Sequence, residues 1–307
     1  MSDLDPDLAA LRDAALQRAQ PAMIEIEPEE VRQRVRAGNA LCAAGPVVPM
    51  LDEVVPLEGR DIAIRTYDAA ASPVTLVYAH GGGWVTGDLD YADELCRFVA
   101  AAGCRVVSVD YRLAPEHVFP AAHDDVLDVA RMLRRRWGAI ALAGDSAGGN
   151  LAAAAAQRLT AEGSPPLFQV LIYPVLDTDT TRGSYVENAT AFPIGAADMR
   201  WFLDHYVAGA DRAHPRVAPL RATDISQLPP THALAVGHDP LRDETQVYVQ
   251  QLQDAGVDAT LTMLPTMCHG FLRFTAASPG ARAARDALVR RIAELARSAD
   301  VDAALRG

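Results

Sequence analysis

Gly144-Asp145-Ser146-Ala147-Gly148 stands between a short apolar run, Ala139 to Ala143, and a long alanine-rich segment, Leu151 to Leu159. A G-x-S-x-G sequence at a strand-to-helix turn is the setting of a nucleophile elbow. The chemistry explains the residue types. A serine hydroxyl is a weak nucleophile unless it stands exposed beside a general base. A sharp turn lifts it above the sheet, and flanking glycines let the backbone fold where a β-carbon would collide. Taken alone, the pentapeptide is also readable as a glycine-rich turn with an incidental serine, so its meaning rests on what surrounds it.

Upstream, His80-Gly81-Gly82-Gly83-Trp84 follows the apolar run Val74 to Ala79. Bare backbone N–H groups at the C-terminal end of a strand can approach a substrate oxygen. The HGGG pattern is an oxyanion-hole element, used together with the N–H of the residue after the nucleophile, here Ala147. Losing one such donor typically costs ~2.7–4 kcal/mol of barrier. A phosphate-cradling loop is the rival reading, but no Gly-Lys-Ser/Thr follows and the chain contains no lysine.

Downstream, an acid and a base follow in the order Ser, Asp, His. Asp239 lies just past the apolar run Ala233 to Val236, and Pro240 after it ends the strand and pre-sets a turn. A carboxylate there sits at the sheet face where open α/β folds place their ligands. His269, in Cys268-His269-Gly270-Phe271, follows the strand-like run Ala259 to Leu264. A general base needs an orienting carboxylate to hold its tautomer and stabilise the imidazolium. Asp239 is preferred for that role over Asp243, which reads as solvated first-turn helix chemistry beside Arg242 and Glu244. Asp239 has a second reading as a helix N-cap. His80 reads as a structural partner of the glycine loop, and Cys268 as a buried thiol rather than a nucleophile.

These stretches, together with Asp110-Tyr111-Arg112-Leu113-Ala114-Pro115-Glu116, run from about residue 75 to 275 in one order, and in them the chain resembles the hormone-sensitive-lipase-like esterases of the α/β-hydrolase superfamily. The GDSAGGN form suggests the subgroup whose nucleophile motif reads that way. The resemblance implies Ser146 as nucleophile, His269 as base, Asp239 as acid, and the N–H groups of Gly82, Gly83 and Ala147 as oxyanion donors. Two positions depart from the family pattern: Thr245 stands where glycine commonly follows DPLRDE, and Val118 where proline usually continues YRLAPEH. Both concern the scaffold.

Length and composition agree with one catalytic domain and an accessory element, since 307 residues at 50% hydrophobic can bury a large core. Strand-like runs (Ile62–Tyr67, Val74–Ala79, Arg105–Asp110, Ala139–Ala143, Phe168–Tyr173, Ala233–Val236, Ala259–Leu264) alternate with helical patterns (Tyr91–Ala102, Ala121–Arg136, Leu151–Leu159, Leu241–Ala255, Ala281–Arg297). The alternation predicts an α/β-hydrolase fold, a mostly parallel central sheet flanked by helices. Residues 1–45, with helices over Pro6–Arg18 and Pro28–Leu41, and residues 178–220 break the pattern, and the resemblance implies that together they form a helical cap. The catalytic domain then takes 46–177 and 221–307. Trp84, Phe192, Met199, Trp201, Phe202 and Tyr206 are candidates for an apolar substrate pocket beneath the cap, with core packing as the plainer role for each. The cap is expected to have low local stability over 185–210.

Net charge is −12 and the sequence pI about 5.1, so the surface repels phosphate backbones and anionic lipid heads. Neither nucleic-acid binding nor stable membrane association is expected, and the N-terminus lacks a signal-peptide pattern. Cys42, Cys96, Cys104 and Cys268 have neither C-x-x-C nor metal-ligand spacing and read as free thiols of a cytoplasmic protein. No cofactor or metal is expected. A homodimer is left open, through an edge strand near Ala259–Leu264 and the C-terminal helix.

The combined reading is a serine carboxylesterase acting on a small-molecule ester through an acyl-enzyme, and the resemblance implies short- to medium-chain acyl esters as its substrates. Amide, acetyl and thioester substrates would use the same site. The rival from another class is a non-catalytic small-molecule receptor of the same fold, which by resemblance would have lost the histidine that stands here at 269. A peptidase on this fold usually carries a further large domain, for which the chain leaves no room.

Overall fold

The computed structural model describes residues 3–18, 20–68 and 74–306. Residues 1, 2, 19, 69–73 and 307, which fall within the expected cap and catalytic segments, lie outside the described residues. Eight strands form one sheet in the order β1-β2-β4-β3-β5-β6-β7-β8. They are β1 (Met50–Leu57), β2 (Arg60–Asp68), β3 (Thr75–Ala79), β4 (Arg105–Asp110), β5 (Ile140–Asp145), β6 (Gln169–Ile172), β7 (Thr231–His238) and β8 (Ala259–Cys268). The first two pairings, β1–β2 and β2–β4, are antiparallel, and every pairing from β4 onward is parallel. Strands buried on both faces read as continuous apolar runs. This is why β3 and β5, wholly buried, were legible as uninterrupted stretches.

Alternate residues of each strand feed two cores. Val77, Val107, Leu142 and Leu171 pack against helices α4 (Ala121–Trp137), α5 (Ala147–Ala161) and α8 (Arg242–Asp254). Leu76, Val106, Ala141 and Val170 face the opposite way, toward α3 (Asp93–Ala101) and α9 (Pro279–Arg306). Helix α5 lies very close to the sheet because its inner face is alanine and glycine. A β-carbon on Gly148 would stand 2.0 Å from the carbonyl oxygen of Ala79 in β3. That approach holds the turn before α5 tight against the centre of the sheet.

The first of the two segments that broke the alternation divides in space, and only its second half joins the other segment. Helix α1 (Pro6–Gln17) docks on the α9 side, with Leu8 in the second core and the Asp5 amide donating to the Thr266 carbonyl. Helix α2 (Pro28–Ala37) and the short turn at Met23–Glu25 lie instead with α7 (Ala196–Val207) above the C-terminal ends of the strands. A five-residue helix, α6 (Gly183–Glu187), precedes α7. Buried on α7 are Met199, Phe202, Leu203, Tyr206 and Val207, all within the first core. Among the described residues no helix is long and apolar enough to cross a membrane.

Candidate active site

Strand β5 ends at Asp145 and α5 begins at Ala147, so Ser146 is the whole of the turn between them. It sits at φ 54° and ψ −118°, a conformation that non-glycine residues rarely adopt. The surroundings hold it there: its N–H donates to the Ile172 carbonyl, and its own carbonyl accepts from Asn150 and Val175. Backbone strain of this kind, fixed by neighbours, is what raises a side chain off a sheet edge.

His269 is delivered by β8, which runs on to Cys268, beyond the apolar stretch ending at Leu264. The Ser146 hydroxyl lies 2.9 Å from His269 Nε2, and His269 Nδ1 lies 2.9 Å from Asp239 Oδ2. All three residues are buried. An ionised Asp239 can only accept, which puts the ring proton on Nδ1 and leaves Nε2 to receive the serine proton. The other carboxylate oxygen of Asp239 accepts the Leu241 N–H at 2.8 Å. Its capping chemistry and its contact with the histidine are therefore served by different oxygens of one group. Asp243 is elsewhere, with Oδ2 accepting the Ser184 amide at the start of α6. Cys268 is buried with its thiol pushed far up by desolvation, so it offers no thiolate beside the histidine.

The glycine loop after β3 is pinned one peptide at a time. The Tyr111 hydroxyl donates to the His80 carbonyl, and the Gly81 N–H donates to Asp145 Oδ1, which also accepts from the Tyr78 hydroxyl. Burial raises the pKa of that carboxyl, and the bonds from Tyr78 and Gly81 and the charge of His269 work in the opposite direction. His80 Nδ1 lies 2.7 Å from the Gly81 carbonyl and donates to it. The ring is buried against Tyr111, and desolvation holds its pKa down at about 4, so it is a neutral donor at neutral pH. The Gly82 carbonyl accepts from the Val85 and Thr86 amides and from the Thr86 hydroxyl. Among the described residues neither the Gly82 N–H nor the Gly83 N–H has an acceptor. A planar trans peptide turns its N–H away from its C=O, so fixing the Gly81 and Gly82 carbonyls aims the next N–H of each. The N–H of Ala147, first in α5, is one of the four at a helix start with no intrahelical acceptor.

Ser146, His269, Gly82 and Gly83 line a cavity of about 290 Å³. Its remaining wall is mostly apolar: Met23, Ile26, Val31 and Val35 from the N-terminal segment, Pro193, Ile194, Met199 and Phe202 from the segment before and within α7, and Phe274. Among the described residues no acidic side chain lines it, while Arg34 and Arg273 do.

Four of the six expected pocket residues lie elsewhere. Trp84, at φ 59°, turns away from the cavity and stacks on Tyr206 with ring centroids 4.4 Å apart, both wholly buried. Trp201 packs on His205 on the outer side of α7, and Phe192 stacks on Phe274 behind the cavity wall. Met199 and Phe202 do line it. The Phe202 ring rests on the glycine loop so closely that a β-carbon on Gly83 would stand 2.1 Å from it. Sequence reasoning missed Met23, Ile26, Val31 and Val35. The i, i+4 pair Val31/Val35 in an otherwise charged helix was the available signal. Among the described residues no group of three or more His, Cys, Asp or Glu side chains is placed to hold a metal.

Residues 76–273 match the sequence profile of a family described as having the alpha/beta hydrolase fold. An ethyl acetate hydrolase of Pseudomonas putida is 36% identical over 293 residues, covering 88% of this chain and 92% of its own. The esterase LipI of Mycobacterium tuberculosis is 38% identical, covering 91% of each. Among solved structures, a hyperthermophilic esterase from the archaeon Pyrobaculum calidifontis superposes with a TM-score of 0.90 at 34% identity, over 96% of this chain and 99% of the other.

Proposed function

This chain belongs to the hormone-sensitive-lipase-like family of α/β hydrolases and is a carboxylic ester hydrolase, and we propose that it cleaves short- to medium-chain acyl esters through an acyl-enzyme on Ser146. The observation that carries the serine mechanism is the hydrogen-bonded line Ser146 Oγ–His269 Nε2 and His269 Nδ1–Asp239 Oδ2, each link 2.9 Å, opening onto the cavity. His269 takes the hydroxyl proton as Oγ attacks the ester carbonyl carbon. Asp239 holds the tautomer and balances the imidazolium charge. The carbonyl oxygen becomes an oxyanion that accepts from the N–H groups of Gly82, Gly83 and Ala147, with the positive end of α5 behind it. The tetrahedral species collapses, His269 gives the proton to the departing alkoxide, and the acyl group stays on Ser146. Water then attacks with His269 again as base, releasing the acid and restoring the hydroxyl.

The size preference is supported by the cavity. About 290 Å³ lies at the small end of the ~300–1,000 Å³ usual for small-molecule sites, with an apolar wall suited to an aliphatic acyl group. A cytoplasmic working place is supported by four cysteines that are all free thiols. The receptor alternative is disfavoured by the same geometry: a binding pocket for a hormone-like ligand needs no base aligned on a serine.

The test is hydrolysis of p-nitrophenyl esters from acetate to palmitate, wild type beside Ser146→Ala. Turnover should peak at butyrate or hexanoate and disappear in the alanine variant. A peak at palmitate, or activity that survives the substitution, would refute the size preference or the serine mechanism respectively.

A further inference from the structure

Arg32 of helix α2 reaches out of the cap and grips the two loops beneath it. Its Nε donates to the Val85 carbonyl at 2.8 Å and its Nη2 to the Ala114 carbonyl at 2.9 Å. Both terminal nitrogens also meet the Glu116 carboxylate, at 2.9 and 2.5 Å. The Arg32 side chain is only 14% exposed although that of Glu116 is 56% exposed. The carboxylate is therefore the outer end of the arrangement, and the two carbonyls are the inner one.

The Val85 carbonyl belongs to the same planar peptide as the Thr86 N–H, and that N–H donates to the Gly82 carbonyl at 2.9 Å. The Gly82 carbonyl in turn shares a peptide with the Gly83 N–H, which has no acceptor among the described residues. Two peptide planes thus connect a guanidinium on the cap with a backbone donor on the cavity wall. Each plane is held at its carbonyl and aimed at its N–H. Hydrogen bonds in such a chain polarise one another in the same sense, and a charged donor at the head makes the first of them stronger than a neutral one.

Building on the mechanism above, in which Gly83 donates to the oxyanion, we propose that Arg32 is a positioning residue for the reaction: through Val85 and Gly82 it aims and polarises the Gly83 N–H. Because the reacting carbonyl oxygen gains its full charge only in the tetrahedral state, the effect falls on turnover and not on ground-state binding.

The experiment compares Arg32→Met, Arg32→Lys and Glu116→Gln with wild type on p-nitrophenyl butyrate, each checked by thermal melting, with Ser146→Ala alongside. Arg32→Met should lower kcat roughly tenfold, a part of the ~10²–10³ lost when an oxyanion donor is removed outright, with KM held within about threefold. Arg32→Lys keeps the charge but replaces the planar fork, whose Nε and Nη2 each meet a different carbonyl, with a single nitrogen on a flexible stem, and should fall between wild type and Arg32→Met. Glu116→Gln keeps both carbonyl bonds and should stay within about threefold of wild type in kcat. A folded Arg32→Met with wild-type kcat overturns the proposal, as does a loss expressed only in KM, which is what mere docking of the cap would give. If Arg32→Met does not fold, Arg32→Lys decides: kcat equal to wild type overturns the proposal, and a kcat lowered at constant KM supports it. Activity surviving in Ser146→Ala would refute the underlying mechanism instead, whatever the Arg32 variants do.

Discussion

At Asp239 one carboxylate is divided between two partners, and the division makes a sharp prediction. Oδ2 faces His269 and Oδ1 faces the Leu241 N–H. Asp239→Asn should lose on the order of 10⁴ in turnover, because an amide can present an N–H to the ring and favour the wrong tautomer. Asp243→Asn, whose carboxylate serves Ser184, should leave kcat within a small factor. Equal losses in steady-state kinetics would show that the acid had been misassigned. The histidines make a second residue-scale prediction. Burial holds His80 and His232 at about 4, below the ordinary 6.5, and shifts buried His123 the same way. Above pH 6.5 these rings are neutral folded or unfolded. Below it the unfolded chain takes up protons that the folded chain refuses, so stability is complete above the ordinary value and lost as pH falls toward the folded one. The slope is ~1.4 kcal/mol per pH unit for each such ring. Urea unfolding between pH 6.5 and pH 4 should show this decline, and His232→Gln should make it shallower. An unchanged slope in that variant would contradict the assignment.

The elements were legible in the sequence to the degree that burial was complete. Strands β3, β4 and β5 were read to within a residue or two because nearly all their side chains are buried. Strand β1 was missed, and its reason is visible: only Val55 is buried, and Met50, Leu51 and Val54 are exposed on a sheet edge, so no periodicity of 2 survives. The sequence motifs singled out Ser146, Asp239, His269 and the glycine run, and the structure brings these residues together, the first three in one hydrogen-bonded line. The site was illegible where only orientation matters. Nothing in the string HGGGW reveals that Trp84 turns inward, and nothing in α2 marks Arg32 off from Arg34 or Arg36. The cap was expected to be of low local stability over residues 185–210, but α7 buries five large side chains in the same core as the sheet. We therefore expect hydrogen exchange to find the amides of residues 200–207 protected nearly as well as those of β5, while residues 20–27, where no side chain is buried, exchange rapidly. Rapid exchange throughout α7 would restore the picture of a loose lid.

At the scale of the whole molecule, cap and sheet share their interior, and this bears on how the protein unfolds. The first core runs without a break from β2 and β4 through the Trp84 loop and α5 to α7 and α8. The seam between cap and sheet is itself aromatic: Trp84 of the loop stacks on Tyr206 of α7, and the Phe119 amide donates to the Tyr206 carbonyl. Parting cap from sheet would expose this apolar surface at ~25 cal/mol per Å² and would also break the bonds across the seam, such as those of Arg32 to the Val85 and Ala114 carbonyls. The expected outcome is one cooperative transition. Of the three tryptophans, Trp137 lies outside the seam, between Arg105 and Arg136 at the end of α4. In a Trp137→Phe protein the fluorescence therefore comes from Trp84 and Trp201, at the seam and on α7. Urea curves followed by that fluorescence, by far-ultraviolet circular dichroism and by esterase activity should coincide. If fluorescence and activity changed at lower urea than the circular dichroism, the cap would be a separable unit on which the geometry of the site depends.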